Sequence, residues 1–418
     1  MCTQVALATK VQAFLNDPAR RQDPYPLFAQ LLAEAPVLQI APGVWIVVGY
    51  QDVKGLLHDQ RLSVDFKKSL TNCSNTQSTS INSYLAQMMS MRDPPDHDRL
   101  ARLVRRGFTP RAVDRVQSAI DAIVDRMLTP WLSEGRVDLI SHLGKELPVN
   151  VTCAMLGVPE SDWAQLQQWT QLLTSQLNRF GQTQSELYAA ETAIEDFAAY
   201  IRALCNRRLR SPLQKDMLTE IVKATDQGEQ LSELEMVSLC MLIFMGGRDT
   251  VTNMIGNSVL TLLQHPDQLE LLQSDVSLIP GALEECLRFE SPIHTSARIA
   301  LADIQIGEQT LKKGSTVLLM LAAANRDPRQ FPNPDQFDIR RSDNAHLAFG
   351  YGIHFCTGHA FARTEGRTVL SWLIRNCPGF KLGAAPETLT WMSTFPLRGL
   401  ANLPIRFEPV YKNTPDSF

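Results

Sequence analysis

No long apolar run occurs in this sequence. Its strongest, Leu239 to Met245, is far shorter than the about 20 residues a membrane-crossing helix needs. The stretch Met1 to Arg21 is polar and lacks the basic-then-apolar pattern of an export signal. The chain is therefore expected to be cytoplasmic, without a membrane anchor. An excess of one charge is missing too. The 40 basic and 44 acidic residues are scattered and sum to a formal −4, which argues against a nucleic-acid partner. The eight cysteines lie far apart, at 2, 73, 153, 205, 240, 286, 356 and 377. They show no Cys-x-x-Cys pair and no framework spacing, so they read as a reduced thiol set. Internal repeats and Gly/Ser/Pro-rich linkers are absent as well. A single domain over residues 1–418 is the expectation.

What the chain does have is helical periodicity, with β-like patterning confined to a few places. A helix is predicted over 25–35, ended by Pro36. Strands follow at Val37–Gln39 and Val44–Val48, around an Ala41-Pro42-Gly43 turn. Residues Ser69 to Ser83 are rich in Ser, Thr, Asn and Gln and read as a loop. Helices are expected from Asp93 to Phe108 and, restarted by Thr109-Pro110, from Arg111 to Leu132. Helical periodicity then continues to about Gln264. Residues 298–321 are β-like, broken by Gly307 and Gly314. After a coil over 325–345 comes a helix at about 359–375, then strands and turns over 378–410. The predicted class is mainly α, with a small segregated β portion at about 37–50, 298–321 and 378–410.

One cysteine stands in a setting that suits chemistry. Cys356 closes the run Phe349-Gly350-Tyr351-Gly352-Ile353-His354-Phe355-Cys356-Thr357-Gly358, just before a helix. The unpaired N–H groups and partial positive charge of a helix N-terminus favour a thiolate. A thiolate binds soft or borderline metals, haem iron among them. Glycines let backbone approach a flat macrocycle closely. A lone cysteine is more often a small buried hydrophobe, and only the whole run outweighs that reading.

A second unusual segment lies in a long helix. Ser232 and Glu235 form a capping box, and the helix is predicted to run to His265, before Pro266. In its middle stands Gly246-Gly247-Arg248-Asp249-Thr250. Two interior glycines cost about 1 kcal/mol each against alanine. Close approach of a flat ligand, or a local opening of the hydrogen-bond ladder, would account for them. Asp249 and Thr250 make an acid–alcohol pair. The plainer reading is a threonine bonded to the carbonyl four residues back, beside a solvated aspartate.

Together these residues resemble a cytochrome P450 of the soluble bacterial type. The family's Phe-x-x-Gly-x-x-x-Cys-x-Gly loop is met at Phe349, Gly352, Cys356 and Gly358, and its Gly-Gly-x-Asp-Thr and Glu-x-x-Arg segments at Gly246–Thr250 and Glu285–Arg288. The resemblance implies the cytochrome P450 fold and haem b, with iron held by Cys356. It implies O2 as co-substrate, and electrons from NAD(P)H through a ferredoxin-type donor and its reductase. Asp249 and Thr250 would be catalytic, delivering protons inside a dry pocket. Phe349, Gly350, Gly358 and Gly246 would contact the haem. His97, Arg298 and His354 would face its propionates, and Glu285 and Arg288 would be structural.

Two positions depart from the pattern. Ala101 stands where an arginine is usual, with Arg102 next along. Gln336 stands where an arginine would complete the Glu285–Arg288 pair, and either Arg340 or Arg341 is left as substitute. The basic residues Arg99, Arg102, Arg105, Arg106 and Arg111 read either as a solvated face or as a docking surface for an acidic electron donor. The implied substrate is a medium-sized, largely apolar small molecule, free or carrier-protein bound. It would meet Leu242, Met245, Ile293 and Thr394 and the segments 66–90 and 168–185. The expected reaction is insertion of one oxygen atom by a monomeric enzyme. Oxidative coupling or cyclisation is the alternative, and a non-turnover haem-binding sensor or carrier is the alternative of another class.

Overall fold

The computed structural model describes residues 2–68, 80–175, 183–210, 215–225 and 228–411. Its longest helix, Glu233–Gln264, has 32 residues, or about 48 Å at 1.5 Å per residue. The capping box forms as expected. Glu235 N–H donates to Ser232 Oγ at 3.3 Å, and Ser232 N–H donates to the Glu235 carboxylate at 2.8 Å. Residues 236–241 and 251–262 of this helix are buried, yet Gly246 between them is exposed. The helix packs against Leu147–Met155, Ile279–Phe289 and His359–Asn376. That arrangement buries Phe197, Phe244, Met254, Leu283 and Leu373 in the main core.

The β portion is segregated, as expected. Its main sheet has five strands in the order Val37–Ala41, Val44–Val47, Thr316–Leu319, Ser296–Ala300 and Leu62–Ser63. Val44–Val47 runs parallel to Thr316–Leu319, and Ser296–Ala300 pairs antiparallel with the same strand. Arg298 there lies opposite Val317. Trp45, Tyr50, Val317 and Phe331 form a second apolar cluster beneath this sheet.

Several boundaries differ from the sequence reading. The N-terminal stretch forms a helix, Cys2–Asn16. Its Leu7, Val11 and Phe14, spaced on one face, are buried near Phe28 and Leu31. Polar residues on the opposite face masked that stripe. Residues 69–79 of the expected loop lie outside the described residues, and Ser80–Leu85 is helical. The helix expected over 93–108 is shorter, Asp96–Val104. The next is Pro110–Leu128, with Thr109 as its cap, accepting Ala112 N–H. A short strand, Arg136–Asp138, interrupts the helical region and pairs with Pro404–Arg406 near the C-terminus. Among the described residues, no helix is long and apolar enough to cross a membrane.

Candidate functional site

The cysteine loop is built from two left-handed glycines. Gly350 and Gly352 have φ of +72° and +75°, a region side chains rarely adopt. A Cβ on Gly352 would also lie 2.7 Å from the Leu57 carbonyl oxygen. Cys356 N–H donates to Phe349 O at 3.0 Å and closes the loop. The helix His359–Asn376 starts directly behind it. Burial pushes the Cys356 thiol up, while the N–H groups of Gly358 and His359 and the charge of Arg363 pull it down. Burial outweighs them in the protein by itself. That arrangement suits a thiolate whose charge a bound metal ion completes.

A brace beneath the loop escaped the sequence reading. Arg363 donates to Glu284 through Nε and Nη2, both at 2.7 Å. Glu284 also meets His346 Nε2 at 3.1 Å, and the Arg363 guanidinium lies 4.4 Å from the Phe349 ring centre. Burial alone would raise the Glu284 carboxyl, but hydrogen bonds from Arg363 and His346 hold it at about 2. Glu284 thus ties the helix Ile279–Phe289 to the residues on both sides of the cysteine. Its only signal in the sequence was a place beside Glu285.

Three nitrogen-bearing side chains gather near the same loop. His97 and Arg298 are buried, and the rings of His97 and His354 meet at 4.4 Å between centres. Burial, then His97 and Arg298, push His354 down to about 3. Burial lowers the Arg298 guanidinium as well, against the pull of Asp93. Asp98 Oδ1 lies 3.1 Å from His97 Nδ1, and Asp93 acts on both Arg298 and His354. Of the three, Arg298 carries the fixed positive charge and the two imidazoles offer ring nitrogens. Ala101 is buried, and Arg102 lies on the exposed side of its helix.

The Glu285–Arg288 pair is fully buried, with both side chains at 0% exposure. Two parallel hydrogen bonds of 2.8 Å join them. The third member is Arg341, whose Nε donates to both Glu285 oxygens at 3.2 Å. Gln336 contributes only its backbone carbonyl, which Arg341 reaches at 3.0 Å. Arg341 is therefore the substitute, because its chain position lets it replace the charge absent at 336.

The long helix stays continuous across Gly246 and Gly247, so the hydrogen-bond ladder is not opened there. The space a Cβ would enter at Gly246 and at Gly358 holds no protein atom within 4 Å. Thr250 Oγ1 donates to Gly246 O at 2.5 Å, the plainer arrangement for a helix threonine. Asp249 Oδ1 accepts Arg248 Nη1 at 2.5 Å. Among the expected substrate contacts, Met245 belongs to the main core and Leu242 lies at its margin. Ile293 bridges Leu397, and Thr394 is half-buried.

A partly buried cysteine beside backbone donors, a buried arginine with two imidazoles near the same loop, and clearance at Gly246 and Gly358 are features that a flat, anionic metal macrocycle would use. These features fit haem. Residues 42–407 match the family model for cytochrome P450. The chain is 37% identical over 396 residues to the cytochrome P450 monooxygenase PikC of Streptomyces venezuelae, covering 92% of this chain and 91% of that one. It is 33% identical to the 6-deoxyerythronolide B hydroxylase of Saccharopolyspora erythraea, covering 92% and 96%. The solved structure of P450BioI in complex with hexadec-9Z-enoic acid ligated acyl carrier protein superposes with a TM-score of 0.84 at 35% identity, covering 95% of this chain and 100% of that one. The chain belongs to the cytochrome P450 family. It is an oxygen-incorporating oxidoreductase, a P450 monooxygenase.

Proposed function

We propose that this chain, acting as one catalytic domain, is a haem-thiolate monooxygenase of bacterial secondary metabolism. It inserts one oxygen atom from O2 into a medium-sized, largely apolar organic substrate. The observation that carries this reading is the Cys356 loop, closed by two left-handed glycines and the bond from Cys356 N–H to Phe349 O, with His97, Arg298 and His354 beside it. Haem, when bound, activates O2, and a thiolate ligand favours O–O cleavage.

The chain's own residues supply the rest. Cys356 serves as the iron ligand. Gly246, Gly350 and Gly358 would lie against the macrocycle, Arg298 would meet the charge of its carboxylates, and His97 and His354 would offer them hydrogen-bond donors. Asp249, about one-third exposed, carries protons inward from solvent. Thr250 spends its own hydrogen on Gly246 O, which leaves its oxygen lone pairs to accept a proton donor. Buried residues on both sides of this segment exclude bulk water.

Electrons come from a ferredoxin-type donor and its reductase, ultimately from NAD(P)H. The exposed Arg105, Arg106 and Arg111 support a docking surface for an acidic donor. Arg99 is not part of it, because its guanidinium is tied to Glu235. A carrier-bound acyl substrate is supported by the likeness to P450BioI held with an acyl carrier protein.

The test is spectroscopic first. The dithionite-reduced, CO-bound protein is expected to show the far-shifted Soret band of a thiolate ligand, and Cys356→Ser to abolish it. Persistence of the band in that variant would refute the ligand assignment. Turnover with a surrogate ferredoxin and reductase then separates an enzyme from a passive haem carrier.

A further inference from the structure

Arg248 has no role in the reading above, yet its guanidinium lies against the relay acid. Successive residues on a helix point apart and do not normally meet. Arg248 Nη1 nevertheless reaches Asp249 Oδ1 at 2.5 Å and Thr174 Oγ1 at 3.3 Å. Thr174 is the penultimate residue of the helix Trp163–Ser175 and is buried. Its hydroxyl hydrogen goes to Gln171 O at 3.1 Å, so a lone pair of the same oxygen is open to Arg248. The Arg248 side chain is 15% exposed, against 32% for Asp249. A guanidinium sunk this far needs acceptors to offset its desolvation, and it has a carboxylate on its own helix and a hydroxyl on another.

We propose that Arg248 is a positioning residue for proton delivery. It pins one carboxylate oxygen of Asp249 and anchors it to Thr174 of the helix Trp163–Ser175, so that the second oxygen, Oδ2, is presented to carry the proton. The inference rests on the proton-relay reading of Asp249. The aspartate gives its proton inward and regains one from solvent, so no other reactant is consumed. A free aspartate on a helix surface samples several rotamers, whereas the guanidinium clamp selects one.

The test compares haem-loaded parent, Arg248→Gln, Arg248→Lys, Thr174→Val and Asp249→Asn with surrogate redox partners. Three quantities are read: product formed per NAD(P)H consumed, the solvent isotope effect on turnover, and amide hydrogen exchange over 168–175 in the resting protein. Misplacement of a reacting group by about 1 Å can cost on the order of a hundredfold. Arg248→Gln is therefore expected to lower product yield at least about tenfold, enlarge the isotope effect and speed exchange at the helix end. Arg248→Lys keeps the charge without the planar fork and should recover part of the yield. Thr174→Val should show a smaller loss in the same direction.

If Asp249→Asn lowers the yield while Arg248→Gln and Thr174→Val match the parent, the relay stands and the positioning role is refuted. If Asp249→Asn itself leaves yield and isotope effect unchanged, the relay reading fails first and carries the proposal with it. A loss in Arg248→Gln that follows weakened substrate binding, with the isotope effect constant, would also refute it, because a merely structural arginine behaves that way.

Discussion

Removing Arg341 tests how the buried frame is held. In Arg341→Ala, Glu285 keeps the bidentate bond from Arg288, the Asn344 amide at 3.1 Å and the Asp338 N–H at 3.1 Å. It loses the second guanidinium, and the carbonyls of Pro332, Asn333 and Gln336 lose a shared donor. Breaking a buried pair outright costs about 3–5 kcal/mol, but here one partner remains. A charge-assisted hydrogen bond contributes about 1.5–3 kcal/mol. The Arg341 side chain is 11% exposed, so water replaces little of what is removed. The expected loss is about 2–4 kcal/mol, built from those two ranges.

Thermal midpoints would register this poorly, since 418 residues imply a shift of only about 1 °C per kcal/mol. Urea unfolding of the haem-loaded protein, followed by far-ultraviolet circular dichroism, is the better assay. Arg340 has an exposed side chain, so Arg340→Ala should stay within about 0.5 kcal/mol of the parent. Gln336→Arg should gain nothing, because that site's charge is already supplied. An Arg340→Ala loss equal to that of Arg341→Ala, or a parent-like Arg341→Ala, would refute the reasoning.

Three further outcomes are expected. Gly352→Ala forces a side chain into left-handed backbone against the Leu57 carbonyl. It should cost about 1–3 kcal/mol and lower the haem-to-protein absorbance ratio of purified protein. Its partners hold Glu284 at about 2 in the fold, against 4.5 for a free glutamate, so its contribution is complete above the unfolded value and disappears as pH falls from about 4.5 to about 2. Glu284→Gln should flatten that part of the stability profile, measured by urea midpoints across the acid range. Glu365 is the reverse case. Burial raises its carboxyl to about 8 and leaves Oε2 without a partner, so it costs stability increasingly between about pH 4.5 and 8. Glu365→Met should be more stabilising at pH 8 than at pH 5 by a few kcal/mol, the order that a shift from 4.5 to about 8 implies at about 1.4 kcal/mol per unit. Equal effects at both pH values would rule out the titration as the cause.

The sequence by itself determined what depends on local pattern. The capping box at Ser232 and Glu235, the long helix to Gln264 and the turn at Ala41–Gly43 were legible, because caps, periodicity and turns act within a few residues. So was the Cys356 loop, since its glycines and the following helix lie within ten positions. The N-terminal helix was missed, although Leu7, Val11 and Phe14 carried its stripe, because polar neighbours diluted the signal. Only the tertiary structure decided the long-range partners. It chose Arg341 over Arg340 for Glu285, joined Glu284 to Arg363 and His346, tied Arg99 to Glu235, and brought His97 to His354. Each choice depends on which side chains are buried together, and no spacing along the chain encodes that. Burial acts on the Cys356 thiol as well: neighbouring N–H groups and Arg363 favour the anion, and burial opposes it.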